Sequence, residues 1–154
     1  MCTILKKSAY ESLIGQIVFI EENSQYIQSV ISQNAILPRG LKAQAFFTNY
    51  IKRIEALAKD IQIVNDSEIV VPGSPVNRLP FIVLGSYFTL KEPGKSNTYC
   101  HICVQNDMRK DIYNEIFFLS ETGMQFLLQE TGADIWADIG FGRRQYTISS
   151  IRFI

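Results

Sequence analysis

Residues 23–54 read NSQYIQSVISQNAILPRGLKAQAFFTNYIKRI. This stretch holds no aspartate or glutamate. Its charges are Arg39, Lys42, Lys52 and Arg53. At its centre Pro38-Arg39-Gly40 interrupts any continuous helix, because proline lacks an amide donor and clashes with the preceding turn. Heptad positions, apolar except for Ser24, recur on both sides at alternating spacings of three and four. Upstream they are Tyr10, Leu13, Ile17, Ile20, Ser24, Ile27 and Ile31; downstream they are Ala43, Phe47, Tyr50, Ile54, Leu57 and Ile61. Such positions form the seam of a coiled coil. A short connection makes the two helices antiparallel, each seam covering the other. The acid-free stretch is then the far end of a helical hairpin, with Asn34, Pro38, Arg39, Gly40 and Lys42 at its tip.

Each arm has about 25 residues, or roughly 35–40 Å at the helical rise. Helices of this length are marginal alone, so seam packing must hold them. Ser8 is the expected N-cap, with Glu11 completing a capping box. Ile14 and Val18 lie off the seam and are expected to pack on the second half of the chain. Val30 and Phe46, nearer the tip, are expected to be an exposed contact surface or a thicker local core.

Beyond residue 66 the period changes. Glu68-Ile69-Val70-Val71 carries strand signals, and residues 72–80 are rich in proline and glycine, as in a linker. Strands are expected over Phe81–Leu90, around Tyr99–Val104 and over Ile116–Leu119. A polar loop is expected over Gln105–Asn114. A short helix follows over Thr122–Gln129, capped by Ser120 or Thr122, with Gly132 near its end. Ile135–Ile139 and Arg144–Phe153 form a hairpin closed by Gly140-Phe141-Gly142. The expected fold class is α+β: an N-terminal antiparallel coiled-coil hairpin, then an antiparallel sheet with one helix. The expected divisions are residues 1–66, a linker at 67–80, and residues 81–154.

Composition narrows the function. The 154 residues carry equal numbers of basic and acidic side chains, and the net charge is zero. A dedicated nucleic-acid binder usually has a basic excess. No apolar run approaches the roughly 20 residues of a membrane span. The first seven residues have no apolar core after Lys6 and Lys7, unlike a secretory signal. A cytoplasmic location is expected. Three cysteines fit a reduced compartment better than a disulfide framework. Cys100 and Cys103 have C-x-x-C spacing, but on a strand they point to opposite faces and cannot share one metal. His101 is the sole histidine and has no catalytic partner at recognisable spacing. No phosphate loop, dinucleotide fingerprint or zinc-protease motif is present.

Several segments in order resemble the Gre family of bacterial transcript-cleavage factors (GreA/GreB type). Tyr50-Ile51-Lys52-Arg53-Ile54-Glu55-Ala56-Leu57 is similar to the family's arm helix. Val83-Leu84-Gly85-Ser86 with Phe88-Thr89-Leu90 looks like its opening "LGS-x-V" strand. Asn114 to Ser120 resembles its "isxxSP" strand and loop. Phe126-Leu127-Leu128 through Gly132-Ala133-Asp134 and Gly142 to Ile151 look like its closing segments. The resemblance implies that the second half is an FKBP-like domain. It also implies a partner, bacterial RNA polymerase. Family members dock their C-terminal domain at the rim of the polymerase secondary channel, here through Ser120, Glu121, Thr122 and Gly123. Their hairpin reaches the active centre, where acidic tip residues help hold a second Mg²⁺ for RNA hydrolysis.

This chain departs from that pattern at the tip. Mg²⁺ takes oxygen ligands, usually including carboxylates, and two-metal phosphoryl chemistry needs their charge. The corresponding segment, Ser32 to Lys42, offers only neutral Gln33 and Asn34, and Arg39 and Lys42 oppose a cation. The arm is also shorter than the family's by about two turns. Glu121 stands where the family loop has proline. The expected function is a non-catalytic regulator of transcription elongation, with no catalytic residue, metal ligand or cofactor, and only indirect contact with nucleic acid (DNA binding in that sense). The alternative is an interaction module like the nucleoside-diphosphate-kinase regulators, which have a short hairpin without the acidic tip. A prolyl isomerase is the third reading, and it rests on fold analogy alone.

Overall fold

A computed structural model describes residues 2–34, 43–104 and 114–153, with residues 32–34 and 43–44 described as backbone only. The chain divides into two compact units, residues 1–78 and 79–154. Among the described residues it is a mixed α/β structure with four helices and two sheets.

The first unit begins with strand β1 (Thr3–Lys6), which pairs in parallel with β2 (Ile61–Val64). Helix α1 spans Lys7–Glu22, α2 spans Ser24–Asn34 and α3 spans Ala43–Ala58. Seven residues of the expected seam are buried: Leu13, Ile20, Ile27, Ile31, Phe47, Tyr50 and Ile54. Three seam assignments fail, and the first is Ser24, which is exposed. Ile61 lies in β2, because α3 stops at Ala58 and a β-branched run takes over. Gln16 rather than Ile17 fills the buried stripe, where its Oε1 accepts a 2.6 Å hydrogen bond from the Tyr50 hydroxyl. Val18 is 51% exposed, while Val30 and Phe46 are half-buried. The Phe46 ring stands edge-on to Phe47 at 5.0 Å.

Helix boundaries differ from expectation for local reasons. Ser8 is not the N-cap of α1; Lys6 holds that position with an extended backbone and no side-chain cap bond. The cap comes from far along the chain. Asp66 Oδ1 accepts from the Ser8 amide at 2.9 Å and from the Ser8 hydroxyl at 2.8 Å. A carboxylate at a helix N-terminus also meets the positive end of the helix dipole. Asn23 separates α1 from α2. Its backbone and side-chain nitrogens both donate to the Phe19 carbonyl, at 3.0 and 2.8 Å, and its own carbonyl accepts from Ile27.

Residues 68–71 form no strand, and Ile69 is 82% exposed. The end of the proline-rich segment instead returns to β1. Val76 bridges Ile4, the Asn77 amide donates to the Ile4 carbonyl, and Asn77 Oδ1 accepts from the Lys6 amide. Asn77 is buried at φ 65°, a left-handed conformation that asparagine tolerates better than most residues.

The second unit is a five-stranded sheet in the order β5-β4-β3-β7-β6. Its strands are β3 (Tyr87–Lys91), β4 (Thr98–Cys103), β5 (Asn114–Phe117), β6 (Asp134–Asp138) and β7 (Arg143–Arg152). The sheet is not wholly antiparallel as expected, because β4 and β5 run parallel. The expected strand over Phe81–Leu90 is also shorter. Gly85, at φ 78°, turns the chain, and Phe81 to Leu84 are buried outside the ladder, where Ile82 exchanges backbone bonds with Leu128 and Gln129. Alternation then sorts the faces. Phe88, Leu90, Cys100, Ile102, Ile116, Ala137, Tyr146, Ile148 and Ile151 are buried, and helix α4 (Glu121–Phe126) adds Met124 and Phe126 to this core. The β6–β7 hairpin stands where it was expected.

Candidate functional site

The two expected sites fare differently. Of the residues expected at an arm tip, Pro38, Arg39, Gly40 and Lys42 lie outside the described residues, and Asn34 is the last residue of α2. The loop at Ser120–Gly123 is described in full. There the chain leaves β5, turns, and enters α4. Ser120 caps that helix: its Oγ accepts from the Gly123 amide at 3.0 Å and donates to the Phe117 carbonyl at 2.7 Å. Gly123 is buried, and a Cβ at this position would collide with the Phe117 carbonyl oxygen. Thr122 Oγ1 donates to the Asp138 carbonyl at 3.2 Å and so ties the loop to β6. Glu121 is exposed.

Asp138 has a second task. Its Oδ1 accepts from the amides of Gly140 and Gly142, at 2.8 and 3.2 Å, and closes the β6–β7 hairpin. Both glycines have positive φ, at 111° and 86°, so the turn favours residues without a side chain. Phe141 between them is 58% exposed, and Trp136 on β6 is 52% exposed. The Arg143 guanidinium lies 5.9 Å from the Trp136 ring centroid. Loop and hairpin thus form one hydrogen-bonded corner presenting a carboxylate, two aromatic rings and a guanidinium. Aromatic and arginine side chains are the usual anchors of protein interfaces. Such a corner has the composition of a binding surface.

The sequence reading named the loop residues and did not single out Trp136 and Phe141. A signal was present. In Asp134-Ile135-Trp136-Ala137-Asp138 the tryptophan alternates with the aspartates, which puts it on the polar face.

The sole histidine also differs from expectation, because it has a partner. His101 Nδ1 lies 2.6 Å from Glu115 Oε2 across the β4–β5 pair. The imidazole stacks on Tyr87 at 4.2 Å. The pairing is invisible to short-range spacing because it arises from strand register. The two thiols of the C-x-x-C face differently: Cys100 is buried and Cys103 half-buried. Burial pushes the Cys100 thiol up to about 12, which keeps it protonated and unreactive. Among the described residues no three His, Cys, Asp or Glu side chains are grouped to hold a metal. Nor is any helix among them long and apolar enough to cross a membrane.

No family model matches the chain, and neither does any curated protein. Solved structures to which it is similar include Gre-type factors. GreA factor homolog 1 of Thermus thermophilus is 18% identical with a TM-score of 0.41, over 99% of each chain. The transcription elongation factor GreA/GreB of Nitrosomonas europaea is 16% identical with a TM-score of 0.44, over 98% of this chain and 99% of that one. The corresponding homolog of Thermus aquaticus is 18% identical with a TM-score of 0.40, over 97% of each.

Proposed function

We propose that this protein is a non-catalytic, Gre-like regulator of transcription elongation. It binds bacterial RNA polymerase at the rim of the secondary channel and modulates elongation without stimulating transcript cleavage. In this reading the helices of the first unit form an antiparallel coiled-coil arm, and the second unit is an FKBP-like docking domain. The observation that carries the reading is the acid-free stretch from Asn23 to Ile54, which includes all of α2 and the first three turns of α3. A second Mg²⁺ in the polymerase active centre needs added carboxylate oxygens. This stretch supplies none. It presents Arg39 and Lys42, which suit acidic polymerase residues or RNA phosphate. The fixed corner of Ser120–Gly123 with Trp136 and Phe141 supports docking through the second unit. The chain is not an enzyme in this reading.

Purified polymerase and backtracked elongation complexes test it. The protein should co-migrate with polymerase and change elongation or pausing while leaving the backtracked RNA uncut. Cleavage stimulated to the level of an acidic-tipped factor would sink the proposal. Failure to bind polymerase, with another protein retained from lysate, would favour the alternative interaction module.

A further inference from the structure

Ser24 stands at a seam position where the heptad calls for an apolar side chain, and it is exposed. Its small side chain leaves a groove of about 440 Å³ between α1 and α2 on one side and α3 on the other. Buried Ile20, Ile27 and Phe47 form its floor, and half-buried Ile51 is its accessible apolar wall. Glu21, Lys52 and Glu55 also line it. Among the described residues none of these three makes an ion pair. The groove is therefore open, floored by apolar side chains and net acidic at its walls.

We propose that this groove receives an amphipathic helix of a partner protein whose apolar stripe is flanked by lysine or arginine. A groove between two packed helices has the shape that accepts the ridge of a third, and apolar helix anchors entering such a groove are a recurrent mode of recognition. Two carboxylates against one ammonium select a basic flank over an acidic one. A small-molecule ligand fits less well, because small-molecule sites enclose most of the ligand and converge buried polar groups on it. Here the charges sit on an open channel. A second copy of this chain fits less well too. A two-fold pairing through this groove would bring two net acidic surfaces together. The inference stands on the groove alone and holds whether or not the partner is polymerase.

The test uses the full chain and a fluorescein-labelled synthetic helix of about four turns. Leucines form its stripe and lysines flank it. Two control peptides carry glutamate flanks or serine in place of the leucines. Fluorescence anisotropy should show saturable binding of the lysine-flanked peptide only. Ser24→Leu fills the groove from within and should weaken binding by about tenfold or more. Glu21→Gln with Glu55→Gln should weaken it about fivefold and flatten its salt dependence. Amide chemical-shift changes in the wild type should centre on Ser24 and Lys52, a readout independent of any variant's folding. Absence of saturable binding, equal or tighter binding of the glutamate-flanked peptide, undiminished binding by folded Ser24→Leu, or shift changes elsewhere would each overturn the inference. Concentration-dependent self-association that Ser24→Leu abolishes would also overturn it, in favour of a second copy.

Discussion

Two residues hold the corners of this fold by contacts that alternation and heptads do not express. Gly123 is one. A methyl group there would meet the Phe117 carbonyl oxygen, a backbone atom that cannot swing aside. Gly123→Ala should therefore destabilise the protein by about 2 kcal/mol, read as a lower urea midpoint at unchanged slope. Asp66 is the other. The Ser8 amide and then the Ser8 hydroxyl hold its carboxyl below the usual aspartate range. A depressed folded value stabilises the fold at pH above the unfolded aspartate value, about 3.9. That contribution fades as pH falls through the lower folded value. Asp66→Asn should lower the melting temperature at pH 7, and the gap from wild type should close in strongly acidic buffer. A gap independent of pH would show that the carboxylate charge is not what Ser8 reads. Neither role was legible in the sequence. Ser8 followed by Glu11 looks like a local capping box, and only the fold brings Asp66, 58 positions further along the chain, to Ser8.

At the scale of elements, long periodic segments were legible and short non-local ones were not. Leu13, Ile20, Ile27, Phe47 and Ile54 announce their helices because several turns repeat the same spacing. β1 and β2 have four residues each, too few for a period, and their parallel pairing joins distant parts of the chain. The β-branched run Ile61-Gln62-Ile63-Val64 carried the competing signal, yet Ile61 also continued the heptad phase of α3. Gln16 was missed for a related reason. A polar residue beside isoleucine looks solvent-facing until Tyr50 supplies a hydroxyl to satisfy it. Tyr50→Phe removes that 2.6 Å bond inside the first unit and should cost about 1 kcal/mol. Ser24→Leu on the same seam should raise the melting temperature, because it covers exposed apolar surface of Ile51. A stable Tyr50→Phe variant with no loss would mean that the pair serves register rather than stability.

At the scale of the molecule, the change of period near residue 66 suggested a division with a linker over 67–80, whereas the first compact unit runs on to residue 78. The parallel β4–β5 pair and the exposed Trp136–Phe141 corner needed the structure. A chain of two compact units can assign separate tasks to them, and the proposed function does so. Docking belongs to the second unit, and the effect on elongation belongs to the first unit's acid-free stretch. Substitutions in the two places should then act on different measurements. Trp136→Ala with Phe141→Ala removes two exposed rings that contribute little to the core, so the melting temperature should hold. Affinity for polymerase should fall about tenfold or more, as expected for aromatic anchors. Arg39→Glu with Lys42→Glu should leave that affinity nearly unchanged while altering pausing and elongation by the bound complex. Affinity measured by labelled-protein titration, beside elongation assays at saturating protein, separates the two effects. If the tip reversal abolished binding while the ring removal left it intact, the arm would be the docking element and the assignment of tasks would be inverted.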